Sequence, residues 1–352
     1  MNLIDKIRSN SFNFENAVKL YDLELFELGK TANEIREKRF GKKTYFNINR
    51  HINPSNICKD ICKFCAFSAN RKNPNPYTLS IDECVDIAKN AYKKGAKEVH
   101  VVSAHNPEVG YDYYMNIVKE IKKVLPDIHI KAFTAAEVNF FSELSGKSYK
   151  EVLEDMVRAG VDSMPGGGAE IFDEEVRNKI CKGKVSSKRW FEIHEYWHKL
   201  GKKSNVTMLF GHIESRANRI DHMLRIRALQ EKTGGFNAFI PLVYQRKNNY
   251  LNVKNFLTGI EILKTIAISR ILLENIPNIK AYWVTTTLNL SLVTQSYGAN
   301  DIDGTIQKES INSAAGAASS NGLQLDELIS LIKDSGYIPV ERDSLYNELK
   351  VF

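Results

Sequence analysis

Cys58, Cys62 and Cys65 fall in the stretch HINPSNICKDICKFCAFS, at spacing C-x3-C-x2-C, and account for three of the five cysteines in the chain. Three thiolates this close repel one another unless a soft metal centre draws them together. A structural zinc site needs four ligands, and zinc ribbons supply cysteines as C-x2-C pairs. No second pair follows here. Three ligands without a fourth point to a four-iron, four-sulfur cluster with one iron left open for a small molecule. The competing reading is three buried or zinc-bound cysteines.

Other candidates lie further along. Met164 to Phe172 reads MPGGGAEIF, and Gly166, Gly167 and Gly168 permit close backbone approach to a ligand because glycine lacks a Cβ. His194 to His198 spells H-E-x-x-H, the zinc-peptidase pattern. It falls on a helix with Trp190, Ile193, Trp197 and Leu200 as a packing stripe, so packing is the reading preferred there. Cys84 lies on an apolar helical stripe and reads as a core thiol, and Cys181 is isolated. His212, in LFGHIE, reads equally well as a site histidine or a loop cap.

These residues need elements to hold them. Residues 12–40 carry apolar positions at helical spacing and stop at Gly41, giving an N-terminal helical extension over 1–42. From 43 to 352, strand and helix signals alternate. Strands are expected at 44–53, 98–103, 129–138, 162–165, 205–210, 236–243, 280–284 and 300–303. Helices are expected between them, two opened by capping boxes at Ser80/Glu83 and Ser148/Glu151. A helix is expected at about 255–275, and the last helices fall at about 309–318 and 324–334. Parallel strands need helical crossovers, so eight such units predict an α/β fold, a (βα)8 TIM-type barrel forming one catalytic domain with C-terminal helices. Barrel chemistry sits where strands end. The cysteine turn follows the first strand, Glu137 ends the third, and the triple glycine follows the fourth.

The chain has 352 residues, 43% apolar and 26% charged, which suits a soluble globular protein with a sizeable core. Apolar runs fall short of a membrane span and the first residues open no signal peptide, so a cytoplasmic location is expected. The net charge of +7 lacks an aromatic-interleaved basic run. An anionic small molecule is therefore expected as partner, with no nucleic acid and no membrane.

With Phe64 before the last cysteine, C-x3-C-x-aromatic-C resembles the signature of radical S-adenosylmethionine (SAM) enzymes. From about residue 20 onward the chain also resembles the aminodeoxyfutalosine synthases of menaquinone biosynthesis. NINRHINPSNIC, HIKAFTAAE, DSMPGGGAEIF, TMLFGHIES, ALQEKTGGFNAFIPL, NIKAYWV, GANDIDGT and PVERDSLYN carry that likeness. The resemblance implies one 4Fe-4S cluster on Cys58, Cys62 and Cys65, with SAM as co-substrate. Phe64, Glu137, Gly166 to Gly168 and Glu170 are the expected SAM contacts, Glu170 toward the ribose. It also implies addition of the 5'-deoxyadenosyl radical to 3-[(1-carboxyvinyl)oxy]benzoate, giving 6-amino-6-deoxyfutalosine, methionine and bicarbonate. A reducing electron donor such as flavodoxin or ferredoxin is implied as well. The dicarboxylate substrate calls for donors, for which Arg50, His51, Asn53, Lys131, Arg177 and His212 are candidates, with Asn300, Asp301 and Asp303 at the last strand. The alternative is the sister enzyme, cyclic dehypoxanthine futalosine synthase. Two departures from the family pattern stand out: Ser103-Ala104 where Gly-Gly is expected, and Val243-Tyr244-Gln245-Arg246 where a His-Pro pair is expected. The oligomeric state cannot be read from the sequence.

Overall fold

The structure is a computed structural model describing every residue except 1–2, 255, 307–308 and 318–321. Its strands are β1 (Lys43–Asn47), β2 (Asn49–Ile52), β3 (Glu98–Val101), β4 (His129–Ala132), β5 (Ser163–Met164), β6 (Lys203–Phe210), β7 (Phe236–Val243), β8 (Asn278–Ile279), β9 (Asp301–Gly304), β10 (Ile338–Arg342) and β11 (Glu348–Val351). β2 to β8 form one seven-stranded sheet in chain order, every pairing parallel. A parallel bridge from Lys280 to Asp301 passes the sheet on to β9. β9 in turn pairs in parallel with β1, which runs through Ile48 straight into β2. The result is the expected curled α/β barrel of parallel strands, its first strand broken into two halves that serve different neighbours.

The helices cover this sheet because their apolar stripes face it. Ile81–Lys93 opens on the Ser80/Glu83 capping box and buries Cys84, Val85, Ala88 and Ala91. Tyr149–Ala159 opens on Ser148/Glu151 and buries Val152, Leu153 and Met156. The N-terminal helix Leu25–Phe40 is held at the amino ends of the strands by Arg36, whose guanidinium donates to the carbonyls of Ala299, Gly41 and Lys43 at 3.1, 2.6 and 2.7 Å.

Several local expectations need correction. The third strand stops at Ala132, and residues 135–138 open a helix, Ala135–Ser145. A third capping box explains the switch: the Thr134 hydroxyl accepts from the Glu137 amide, and the Glu137 carboxylate accepts from the Thr134 amide. The seventh strand ends at Ile279, and Trp283–Thr286 is helical rather than extended. The helix expected near 309–318 is only Ile311–Ala314, with residue 318 outside the described residues; likewise the helix expected from residue 255, itself outside them, begins at Gly259. The sequence pattern also missed β10 and β11, an antiparallel pair whose β10 runs parallel to β1.

Candidate active site

Side chains alternate across a strand, and here the inward positions are polar. Asn49, His51 and Asn53 from β2 and the turn after it, Glu98 and His100 from β3, Lys131 from β4, and Asn205 and Thr207 from β6 all face one cavity of about 300 Å³. Lys280 and Asp303 complete its floor, and Ile240, Leu242 and Tyr244 give it an apolar side. Ordinary barrels fill this space with branched apolar side chains. A lumen lined by amides, imidazoles and ion pairs is built to hold a ligand.

The floor charges are closed in pairs. Lys131 lies 2.6 Å from Glu98, and Lys280 lies 2.8 Å from Asp303, all four side chains buried. Ser344 also donates to the Glu98 carboxylate. Burial pushes Lys131 below the usual ammonium range. It works against ionisation of Glu98 too, yet the neighbouring cations led by Lys131 hold that carboxyl well below its ordinary value. Between these pairs, the rings of His51 and His100 meet edge to face at 4.7 Å. Burial depresses both, His100 strongly. The Nε2 atom of each is buried without a hydrogen-bond partner in the structure, as are Asn49 Oδ1 and Ser103 Oγ. Buried polar atoms are rarely left unpaired in proteins, so this cluster marks where a ligand's polar atoms fit.

The cysteine loop closes the other end. Cys58, Cys62 and Cys65 are all free thiols, partly exposed, on the wall of this same cavity. Burial raises the Cys58 thiol and pushes Cys62 well above the ordinary range, so binding a metal centre must release protons. Three unpaired soft donors on one loop fit three corners of an iron–sulfur cluster. Asp60 and His105 lie with Cys58 so that their ligand atoms fall within 4.8 Å of one another. Those two are spent on each other, however, with His105 Nδ1 2.9 Å from Asp60 Oδ2 and the imidazole stacked on Phe140. Burial works against the Asp60 charge, but His105 outweighs it and keeps that carboxyl below its ordinary value.

The glycine run crosses the cavity wall after β5. A Cβ on Gly166 would stand 2.5 Å from Val206 Cα and 2.7 Å from the Thr207 amide nitrogen, and Gly168 has φ +85°. The run is tied down from behind: Gly166 and Gly167 carbonyls accept from Thr207 Oγ1 and Trp190 Nε1. Glu170, in a left-handed conformation, receives Lys184 Nζ at 2.6 Å, with that ammonium 5.6 Å from the Phe64 ring. Phe64, Glu170 and Lys184 all line the cavity.

Several expected residues stand elsewhere. Arg50 occupies the outward face of β2, the side opposite His51. Arg177 is consumed by the carbonyls of Gly168, Ala169, Ile171 and Val185, and so supports the glycine run from outside. Glu137 accepts from the Ser103 and Thr134 amides at 2.7 Å each and acts at one remove, by fixing the Ser103-Ala104 turn that lines the cavity. His212 is enclosed between Glu214 and the Leu209 carbonyl. Asn300 clasps Arg270, Asn278 and the Ile279 amide, and Asp301 is paired with Arg342 at 2.7 Å. The H-E-x-x-H histidines bind Ser204 and Thr233 hydroxyls between helix and sheet.

A parallel barrel whose first turn offers three free thiols to a polar lumen defines the radical SAM class. The family model for the radical SAM superfamily matches residues 52–226, and that for the CofH/MqnC C-terminal region matches residues 233–351. The chain is 43% identical to the aminodeoxyfutalosine synthase of Thermus thermophilus, over 96% of this chain and 92% of that one. It is 38% identical to the Streptomyces coelicolor enzyme of the same name, over 99% and 94%. It is also 39% identical, over 96% and 95%, to a 5-amino-6-(D-ribitylamino)uracil–L-tyrosine 4-hydroxyphenyl transferase of Methanococcoides burtonii. Its fold is similar to that of methylornithine synthase, with a TM-score of 0.76 at 17% identity, covering 96% of this chain and 97% of that one. Within the radical SAM superfamily, the chain belongs to the family that holds the aminodeoxyfutalosine synthases.

Proposed function

We infer that the cavity carries the aminodeoxyfutalosine synthase reaction: the 5'-deoxyadenosyl group of SAM adds to 3-[(1-carboxyvinyl)oxy]benzoate, giving 6-amino-6-deoxyfutalosine, methionine and bicarbonate. The observation that supports this best is the opposition of three free thiols and a polar floor across one lumen, in a chain similar along nearly its whole length to enzymes of that name. Cys58, Cys62 and Cys65 hold one four-iron, four-sulfur cluster. When bound, that cluster supplies the electron that splits SAM into methionine and a 5'-deoxyadenosyl radical.

The chain's own residues position and protect. Gly166 to Gly168 let SAM lie against backbone, with Glu170 and Phe64 beside it, and Glu137 fixes the Ser103 turn. The floor receives the acceptor's aromatic carboxylate: His51 and His100 direct unpartnered ring nitrogens there, and Lys131, Lys280, Asn49 and Asn53 stand beside them. Ile240 and Leu242 give the benzoate ring an apolar wall and keep water from a carbon radical. Asp303 holds Lys280 in place. A small reducing protein supplies electrons, and the active form belongs in a reducing compartment.

An anaerobic assay with SAM, the enol ether and dithionite tests this. The adenosyl group should end in the adduct. Deoxyadenosine released as a separate product would instead assign the chain to the cyclic dehypoxanthine futalosine synthases. Alanine at Cys58, Cys62 or Cys65 should abolish adduct and visible cluster absorbance, whereas alanine at buried Cys84 or Cys181 should spare both.

A further inference from the structure

The cysteine loop reaches the outside at Lys59, Ile61 and Lys63. Ile61, between Asp60 and Cys62, is 81% exposed. Two other loops frame it. The Lys63 amide donates to the Ile180 carbonyl at 2.7 Å, and the Tyr250 amide donates to the Lys63 carbonyl at 2.7 Å. The Tyr250 hydroxyl donates to Asn70 at 3.1 Å, and the Lys72 ammonium stands 4.5 Å over the Tyr250 ring. Stretches 57–76, 176–191 and 244–254, with Phe256 against Arg246, therefore converge on one surface. Their charge is one-sided. Asp60 is the only acidic residue in all three stretches, and it is turned inward onto His105. Lys63, Arg71 and Lys182 are exposed and make no ion pair among the described residues.

An exposed isoleucine thus shares its loop with three partly exposed thiols, and Lys63, Arg71 and Lys182 on the converging stretches are cations without an ion pair among the described residues. We propose that this patch docks an acidic one-electron carrier protein, which passes its electron through the Ile61 turn to the centre held by Cys58, Cys62 and Cys65. The proposal rests on the reading of those thiols given above. In the step, the carrier is oxidised by one electron and the centre reduced by one; no bond forms or breaks. The features favour a protein over other anions. Electron-transfer encounters use small contact areas, and opposite charge at the rim speeds their formation while leaving an apolar centre to make contact. A nucleic-acid surface calls instead for open aromatic stacking platforms along a basic groove, and the exposed rings here, Tyr250 and Phe256, are already covered by Lys72 and Arg246 at 4.5 and 3.9 Å.

The test uses the cluster-loaded enzyme under anaerobic conditions, with flavodoxin as probe. Lys63→Glu/Lys182→Glu is compared with Lys30→Glu/Lys38→Glu, the latter on the helix at the amino ends of the strands. Three quantities are measured: the rate at which reduced flavodoxin bleaches the cluster, the affinity for oxidised flavodoxin, and turnover driven by dithionite. Charge reversal at the patch should slow reduction by about tenfold or more at low salt and weaken binding alongside, with the difference shrinking as salt rises. Dithionite turnover should stay unchanged, and the control pair should change nothing. An unchanged reduction rate in the patch variant overturns the proposal while leaving the site reading intact. Absence of dithionite turnover in the unaltered enzyme overturns both. Loss of RNA or anionic-vesicle binding, without loss of flavodoxin-driven reduction, assigns the patch to that other partner.

Discussion

The Glu98–Lys131 pair gives the sharpest test of how the lumen is held together. Lys131→Met keeps the length of the side chain and removes the charge. The lost attraction, for unit charges 2.6 Å apart at an effective dielectric near 20, is about 6 kcal/mol before desolvation is counted. Methionine needs no desolvation, but Glu98 stays behind, buried, with the Ser344 hydroxyl as the one remaining hydrogen-bond donor to its side chain among the described residues. Breaking a buried pair in this way costs roughly 3–5 kcal/mol. At about 2.1 cal/mol/K per residue, a chain of 352 residues has an unfolding entropy near 0.74 kcal/mol/K, so Tm should fall by about 4–7 °C. The double variant Glu98→Gln/Lys131→Met removes the stranded charge and should recover most of that loss. Calorimetry at pH 7.5 reads both. If Lys131→Met alone melts with the parent, or the double variant melts no higher than the single, the lumen does not depend on this pair. The assay also separates structure from binding. A double variant that regains Tm, yet shows a raised KM for the enol ether, places Lys131 against the substrate carboxylate.

Further outcomes follow from other parts of the barrel. Gly166→Ala drives a Cβ into the β6 backbone at 2.5 Å; the glycine run must shift, and SAM affinity should fall at least tenfold in equilibrium dialysis, or the protein should fail to accumulate. Replacing His194 by Gln should cost stability by about 1 kcal/mol, the net worth of one hydrogen bond, because Ser204 keeps His198 as a partner, while added zinc and mild chelation leave turnover untouched. Burial presses His222 down to about 3 and His198 to about 4. Unfolding returns each to about 6.5, so the unfolded chain binds more protons throughout that interval. Their contribution is therefore complete above about pH 6.5 and is lost as pH falls toward the folded values, at up to about 1.4 kcal/mol per pH unit for each histidine. His222→Gln keeps a donor for the Thr207 carbonyl, and urea titrations between pH 6 and 4.5 should show a slope lower by about one proton.

Much of this was legible in the residues. The thiol trio, the glycine run and most strand positions can be read from spacing, because period-two alternation and capping boxes are local signals. Failures came where local signals overlap. HIKAFTAAEV alternates well enough to pass for one long strand, but Thr134 and Glu137 are a capping pair, and reciprocal side-chain bonds to the backbone win over alternation. β10 carries a proline and the pair β10/β11 is separated by a polar turn, so neither stands out without its partner β1. The site residues divide by the same rule of alternation. Arg50 and His51 are adjacent on one strand and cannot both face the lumen. Their charge drew attention to Arg50, but the polar set Asn49, His51 and Asn53, repeated as Glu98 and His100 on the next strand, was the signal for an inward polar wall. Arg177 and Asp301 attracted notice as charges suited to a ligand. Sequence does not reveal that Gly168 and Ala169 carbonyls and the Arg342 guanidinium already use them.

That inventory changes how an acidic acceptor must be held. Free cations were the natural expectation for a dianion, yet each lumen ammonium has a carboxylate beside it: Lys131 with Glu98, Lys280 with Asp303, Lys184 with Glu170. An unmatched buried ammonium would be costly before substrate arrives, and would surrender its proton rather than wait. Closed pairs avoid that cost and hold the lysine heads in fixed positions, where each has further N–H bonds to give. The neutral donors then decide orientation. His51 and His100 sit between the two floor pairs with unused ring nitrogens, and an arriving carboxylate satisfies them without stranding any charge when it leaves. A lumen organised in this way discriminates by the placement of its acceptor atoms rather than by net charge, so an amide analogue of the benzoate should lose less affinity than removal of the group altogether.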